Sequence, residues 1–284
     1  MKKLKFDQFG VMTVHFVQYS WEYTLDSIAG NGFKNVDFWG GAPHYCEAMR
    51  SEKDRFAYIR KMRKAMEDRG LKMSMFTPEQ MCLYPVNIAA KEDYIRERSV
   101  KTMMGYLEDT IEFGAPAMFL LAGWGYQDEP VEEAWDRSVE SLHKIARRAE
   151  ELGVNIVMEQ LQPYESIITY NSETLCKIFE AINSPRLSGC VDCIAMAAGG
   201  ETVEDYYKKF GNIVHAHLAD GFPTGHLCPG DGENPLHDYL QSFANHDYKG
   251  SITMEINNEV YFQDPDASVV KARKFLENCP VVEF

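Results

Sequence analysis

The chain has 284 residues, 45% hydrophobic and 25% charged, an ordinary globular composition with enough apolar material for one large core. Its 43 acidic against 29 basic residues leave a net charge of -14, which repels phosphodiester backbones and anionic lipid, so neither nucleic acid nor membrane is expected as a partner. The basic start Met1-Lys-Lys-Leu-Lys5 is not followed by an apolar signal region, no run approaches membrane-spanning length, and the seven scattered cysteines read as reduced thiols, which together describe a cytoplasmic protein.

In chain order, Phe6–Phe16 reads as strand one, and a helix near Trp21–Ala29 follows, stopped by Asn31-Gly32. Lys34–Trp39 is strand two. The loop Gly40-Gly41-Ala42-Pro43-His44 leads to a helix over Ser51–Arg69, closed by Gly70. Leu71–Phe76 is strand three, and the long loop Thr77–Ala90 precedes a charged helix over Glu92–Phe113. Gly114-Ala-Pro116 turns the chain into strand four, Ala117–Leu121. The helix Glu132–Leu152 has acids early and Arg147-Arg148 late, as the helix dipole favours. Strand five is Val154–Met158, then come a helix over Ser172–Ile182, strand six at Leu187–Asp192 and a short helix near Val203–Phe210. Strand seven is Ile213–Asp220, a Gly/Pro loop runs to Pro235, a helix covers Leu236–Asn245, strand eight is Ser251–Ile256, and a last helix covers Asp266–Asn278. Eight strands alternating with eight helices and no linker-like break predict a single α/β domain over 1–284, a closed (β/α)8 TIM barrel of parallel strands.

Four successive strands carry an acid or an imidazole near their C-terminal ends: Glu159, Asp192, His217 and Glu255. A charge at the end of a buried strand is costly unless paired, and in such barrels function sits on that rim. Three carboxylates brought together cannot all ionise unless a cation neutralises them. Three carboxylates and one imidazole suit one divalent ion, Mn²⁺ first, with Mg²⁺, Co²⁺, Fe²⁺ or Zn²⁺ as other choices. Each residue taken singly could equally be a loop cap or one half of an ion pair. His215 shares the parity of His217 and is expected one layer deeper, as a hydrogen-bonded core histidine. Cys190 and Cys193 form a CxxC, but strand alternation points them to opposite faces, against a zinc or redox pair.

The motifs Glu159-Gln-Leu-Gln-Pro-Tyr-Glu165, Val191-Asp192, His215-Ala-His217-Leu-Ala-Asp220, Pro229-Gly-Asp-Gly232 and Met254-Glu255 resemble the sugar isomerase/epimerase superfamily, which includes ketose 3-epimerases and endonuclease IV. The likeness runs over nearly the whole chain and is greatest to the fructoselysine 3-epimerases, through Trp39-Gly-Gly-Ala-Pro-His44, Thr77-Pro-Glu79, Pro163-Tyr-Glu-Ser166, Ser184-Pro-Arg-Leu187 and Val191-Asp-Cys-Ile194. The resemblance implies that the four ligands hold one divalent ion and that Glu159 and Glu255 exchange a proton at C3 of a ketose or ketosamine through an enediolate. It also implies a substrate-binding role for Glu165. Trp39, His44, Glu79 and His226 are further candidate substrate contacts, each with a plain packing or loop-bracing alternative. Asp231 and Glu233 argue against a phosphate cradle at the Gly230/Gly232 turn, and Cys228 reads as inert.

Two departures point away from a free hexulose. Ala195 stands where free-ketose epimerases have a histidine, and no arginine lies between His217 and Tyr239. The implied partner is a small sugar or sugar-amine, and a homo-oligomer is compatible with the sequence. An aldose–ketose isomerase and a free-ketose 3-epimerase would use the same site. A non-catalytic sugar-binding barrel would not need the quartet, and an endonuclease IV-like enzyme would need early-strand histidines that are missing between His44 and His143.

Overall fold

The computed structural model describes residues 2–80 and 85–284, the side chain of Glu52 excepted. Cys82 and the centre of the long loop after the third predicted strand lie outside the described residues, as does Met1.

Eight parallel strands close a barrel: β2 (Phe9–Met12), β3 (Asn35–Gly40), β4 (Lys72–Pro78), β5 (Ala117–Leu120), β6 (Asn155–Met158), β7 (Leu187–Asp192), β8 (Ile213–Leu218) and β9 (Ser251–Met254). Two short strands, β1 (Leu4–Lys5) and β10 (Val282–Glu283), pair with each other outside it and tie the two ends of the chain together. Helices α1 (Trp21–Gly30), α2 (Glu52–Glu67), α3 (Asp93–Phe113), α4 (Val131–Leu152), α5 (Ser172–Ile182), α7 (Val203–Lys209), α8 (Leu236–Asn245) and α9 (Pro265–Glu277) supply the outer layer. The predicted TIM barrel is the observed fold. Among the described residues no helix is long and apolar enough to cross a membrane.

Local chemistry sets the ends of these elements. Ser20, Ser51 and Asn171 cap their helices through side-chain oxygens that accept N-terminal N–H groups. Gly114 and Gly153 end α3 and α4 in the left-handed region, at φ 72° and 73°. Strand one was expected over Phe6–Phe16, but only Phe9–Met12 joins the barrel. Gln8 folds back to accept from Lys5 N at 2.9 Å, and Asn35 donates to the carbonyls of Asp7 and Phe9, so the backbone before Phe9 is satisfied outside the ladder. A further helix, α6 (Cys193–Ala198), opens directly from Asp192, where a plain loop was expected; Asp192 caps it by accepting from Ile194 N and Ala195 N.

Two cores result. One fills the space between barrel and helices; within it Phe76 stacks among Phe38, Phe113 and Tyr106, with ring centroids 5.9, 5.0 and 5.5 Å away. The second fills the barrel itself and includes Met75, Phe119, Leu121, Val157 and Cys190. Cys190 thus faces the barrel interior while Cys193, expected on the strand, opens α6 and belongs to the outer core, so the two thiols are separated by the turn from strand into helix; the six cysteines described are all free. Inside the barrel space is tight: a Cβ on Gly10 would lie 2.8 Å from the Cβ of Asn35.

Candidate active site

Strand register brings the acids and imidazoles onto one face. Between β7 and β8 the pairing slips by one residue: Gly189 pairs with Ile213, but Cys190 pairs with His215 and Asp192 with His217. The slip leaves Val214 unpaired and 38% exposed. A bulge of this kind re-aims every side chain after it. Here it brings His215 and His217 into phase with Cys190 and Asp192, toward the barrel interior. β9 continues the pattern, with His217 opposite Thr253, and Glu255 follows two residues later, its N–H donating to the Leu218 carbonyl at 3.1 Å. Glu159 stands immediately past the end of β6.

The four predicted residues line one cavity, within which two clusters of close ligand atoms form, Glu159 with Cys190 and His217, and Asp192 with His226 and Glu255. His217 Nδ1 lies 3.0 Å from Glu159 Oε2 and 3.3 Å from Glu255 Oε2. His226 Nε2 lies 3.7 Å from Glu255 Oε2 and 3.8 Å from Asp192 Oδ2. Glu159, Asp192, His217, His226 and Glu255 all line one cavity of about 470 Å³, together with Trp39, Glu79 and Glu165. Trp39, Glu79, Glu165 and His226 are therefore placed where a substrate in that cavity would meet them.

Burial raises Glu255 most, and its neighbours Asp192 and Glu159 add to that against the pull of His217 and His226, so it is pushed up to about 8. Burial likewise lifts Glu159 to about 6. Asp192 is held below the ordinary carboxylate range: burial works against this, but His226 and the backbone N–H of Ile194 outweigh it. Burial also opposes a charge on His217, yet the flanking glutamates raise it well above the ordinary imidazole value; Cys190, itself pushed up by burial, contributes little as a neutral thiol. Burial opposes a charge on His226 too, and Glu255 and Asp192 carry it up to about 9. Three carboxylates in one buried volume thus demand positive charge, from protons or from a cation. Glu255 Oε2 is buried and accepts no hydrogen bond, an expensive state for an ionised oxygen. A cation beside Glu159, Asp192, His217 and Glu255 removes that cost, and the oxygen-rich set with one imidazole suits a hard or borderline divalent ion. The residues fit the group.

His226 sits on the loop after β8 with φ 47°, a left-handed conformation unusual for a residue other than glycine. Asp220 and Leu227 form an antiparallel bridge beside it, Asn257 N donates to its carbonyl at 3.1 Å, and Asp220 accepts from the backbone N–H groups of Gly221, Gly230 and Asn234. The loop is held shut by these contacts, and His226 is aimed by them.

The remaining candidates divide, His44 and Asp231 falling outside the cavity while His215 and Cys228 are buried as expected. His44 does not line the cavity: its Nε2 bonds the Tyr19 carbonyl at 2.7 Å and its ring meets Trp21 edge-on, so it braces its own loop. Asp231 is taken by Lys271 and by the Tyr261 hydroxyl and does not face the cavity. Ala195 is buried in α6 and does not line the cavity. Cys228 is buried, its thiol pushed up to about 12 by burial. His215 is fully buried one step below His217, with Nδ1 on Ser251 Oγ at 2.7 Å and Nε2 on Asp37 Oδ2 at 3.0 Å.

Asp37 is the residue that the sequence reading passed over. It is fully buried in β3, where the pairing with β4 slips between Val36 and Asp37 and sets Asp37 opposite Met75, inside the barrel. An acid inside the apolar run Val36-Asp-Phe-Trp39 is the signal that could have found it.

A sequence profile described as a xylose isomerase-like TIM barrel matches residues 25–279. The chain belongs to that family. Within this xylose isomerase-like group, fructoselysine 3-epimerase of Escherichia coli O157:H7 is 25% identical over 248 residues, covering 86% of this chain and 88% of the relative. Among solved structures, a D-tagatose 3-epimerase-like protein superposes with TM-score 0.78 at 20% identity, covering 98% of this chain and 96% of that one. The 3-keto-D-glucoside 4-epimerase of E. coli gives TM-score 0.76 at 16% identity over 94% of this chain and 99% of that one. At such identity the two solved structures attest the fold.

Proposed function

We propose that the protein is a divalent-metal-dependent sugar 3-epimerase, acting on a ketose or ketosamine by proton transfer at C3. One observation carries the reading. Glu159 Oε2 and Glu255 Oε2 approach a single nitrogen, His217 Nδ1, at 3.0 and 3.3 Å, so two carboxylates flank one small volume at the floor of the cavity. Epimerisation needs that arrangement: one group removes a proton from one face of the carbon and another returns one to the opposite face. In the metal-free protein burial raises both carboxyls, Glu159 to about 6 and Glu255 to about 8, and a divalent ion held beside them would draw both down toward the carboxylate form that a proton acceptor needs.

Glu159, Asp192, His217 and Glu255 would hold one divalent ion. When bound, that ion supplies Lewis-acid polarisation of the carbonyl and hydroxyl oxygens next to C3. Asp192, fixed by the N–H groups of Ile194 and Ala195, orients the donor set. Glu165, whose own carboxylate accepts from Gln162 N at 2.9 Å, and His226 face the substrate hydroxyls from the rim. Trp39 forms an apolar wall. The metal we favour is Mn²⁺, since oxygen ligands dominate and one imidazole is present.

The leading substrate pair is fructoselysine and its C3 epimer. The E. coli relative named above supports it, as do two carboxylates at the cavity, Glu79 and Glu165, which would favour a cationic tail over a sugar phosphate. Incubation in deuterated water tests this directly. Deuterium should appear at C3 of the ketosamine much faster than at C3 of fructose or psicose. Faster exchange with a free ketose overturns the ketosamine assignment, and label at C1 or C2 in place of C3 overturns the 3-epimerase reading.

A further inference from the structure

Asp37 is a fully buried carboxylate whose partners are two histidines and two threonines. We propose that Asp37 is the positioning residue of the metal centre, taking the Nε2 proton of His217 so that Nδ1 is the nitrogen offered to the ion, and holding His215 back as a non-ligand. The inference rests on the metal reading given above.

A neutral imidazole has one N–H and one lone pair, and the hydrogen bond made by one nitrogen decides the role of the other. His217 Nε2 lies 3.1 Å from Asp37 Oδ2. The Thr77 hydroxyl donates to Asp37 Oδ1 at 2.6 Å and the Thr253 hydroxyl to Oδ2 at 2.9 Å, so the carboxylate is surrounded by donors and acts as acceptor throughout. Nε2 of His217 must then carry the proton. The proton that an incoming cation would displace is then the one on Nδ1, the nitrogen that faces Glu159 Oε2 and Glu255 Oε2, and the lone pair so freed is the one offered to the ion. A carboxylate behind the ring also makes that nitrogen a better donor to a cation.

His215 stands two residues away with the same chemistry, and the structure explains why it is not a ligand. Both of its nitrogens are used, Nδ1 by Ser251 Oγ at 2.7 Å and Nε2 by Asp37 Oδ2 at 3.0 Å. Asp37, His215 and His217 lie close enough to be taken for a metal triad themselves. Three donors at 2.9, 3.0 and 3.1 Å already saturate Oδ2, so the group reads as a proton-locked support beneath the metal centre.

Asp37→Asn tests this with little change of shape. The amide oxygen can keep accepting from the histidines, while its NH₂ turns to Thr77, whose hydroxyl can reverse. With chelator-stripped protein, Mn²⁺ titrated by calorimetry should bind about 10- to 100-fold more weakly than to wild type, with the metal-free melting temperature nearly unchanged. Ser251→Ala, which releases His215 alone, should leave the Mn²⁺ affinity within about threefold. ¹⁵N NMR of Zn²⁺-loaded wild type should find His217 metallated at Nδ1, with a slowly exchanging proton on Nε2. The idea is overturned if Asp37→Asn binds Mn²⁺ as wild type does, if Ser251→Ala loses as much, or if the wild-type spectrum shows Nε2 as the ligand atom. The last readout needs no variant to fold. A wild-type protein that binds no divalent ion overturns the metal reading and this inference with it; wild-type binding with an unaffected variant overturns this inference alone.

Discussion

In the metal-free protein Glu255 should destabilise the fold at neutral and alkaline pH, and Glu255→Gln should relieve that cost. The side chain is 15% exposed at the cavity, but its Oε2 is buried with no hydrogen-bond donor, and burial with Asp192 and Glu159 nearby pushes it from an ordinary 4.5 up to about 8. Between those values the folded protein keeps a proton that the unfolded chain has released. Stability therefore falls as pH rises across that window and levels off above it. At about 1.4 kcal/mol per pH unit the full penalty would be roughly 5 kcal/mol. That figure already includes the pull of His217 and His226, but the protons are shared among these histidines, Glu159 and Glu255, so a net gain of about 2 kcal/mol is expected above pH 8, or roughly 4 °C in melting temperature for a chain of this size. The assay is thermal unfolding by circular dichroism after chelation, at pH 5 and pH 8.5. The variant should melt higher at pH 8.5, and the gap should shrink to less than half at pH 5. Added Mn²⁺ should reverse the order, since an ion at 100 times its Kd contributes about 2.7 kcal/mol to the protein that binds it. A Glu255→Gln protein that melts at or below wild type at pH 8.5 with chelator, or a gap independent of pH, would refute the reasoning.

Three further outcomes are expected. Elemental analysis of purified protein should find up to about one divalent ion per chain, and Asp192→Ala and His217→Ala should each lose most of it, because the remaining carboxylates then repel without their full ligand set; full metal content in both variants would remove the site. Glu159→Gln should fold and yet lose about two orders of magnitude or more in turnover, as expected when a positioned proton carrier is removed; a near-normal rate takes Glu159 out of the chemistry. Phe76→Ala should cost about 3–5 kcal/mol in chemical denaturation, since its ring is fully buried against Phe38, Phe113 and Tyr106, and a loss under 1 kcal/mol would mean that the neighbouring rings close the hole.

Much of this protein is local, and what is local was legible in the chain. Short apolar runs such as Leu187–Val191 and Ile252–Met254 read as strands buried on both faces, and eight of them alternating with helical patterns leave a parallel barrel as the economical solution. Because each strand of such a barrel ends on the same rim, the strand-end positions of Glu159, Asp192, His217 and Glu255 mark them in the sequence as one set. The helix α6 was legible in principle as well, since an acid at its N-cap followed by Cys193-Ile-Ala-Met-Ala-Ala198 and two glycines carries its own start and stop signals.

Tertiary structure decided what depends on partners far away in sequence. Register is a property of two strands, so neither the slip that leaves Val214 unpaired and turns His215 and His217 inward nor the slip that sets Asp37 opposite Met75 is written in one strand alone. Asp37 meets Thr253 from 216 positions away and His217 from 180. The direction of His44 likewise turned on a carbonyl at Tyr19, and the charge of Asp231 on Lys271 from α9. A side chain's chemistry is set by its own residue type, but its protonation and the space it faces are set by whatever the closed barrel brings within about 4 Å of it, and that closure is a collective property of all eight strands.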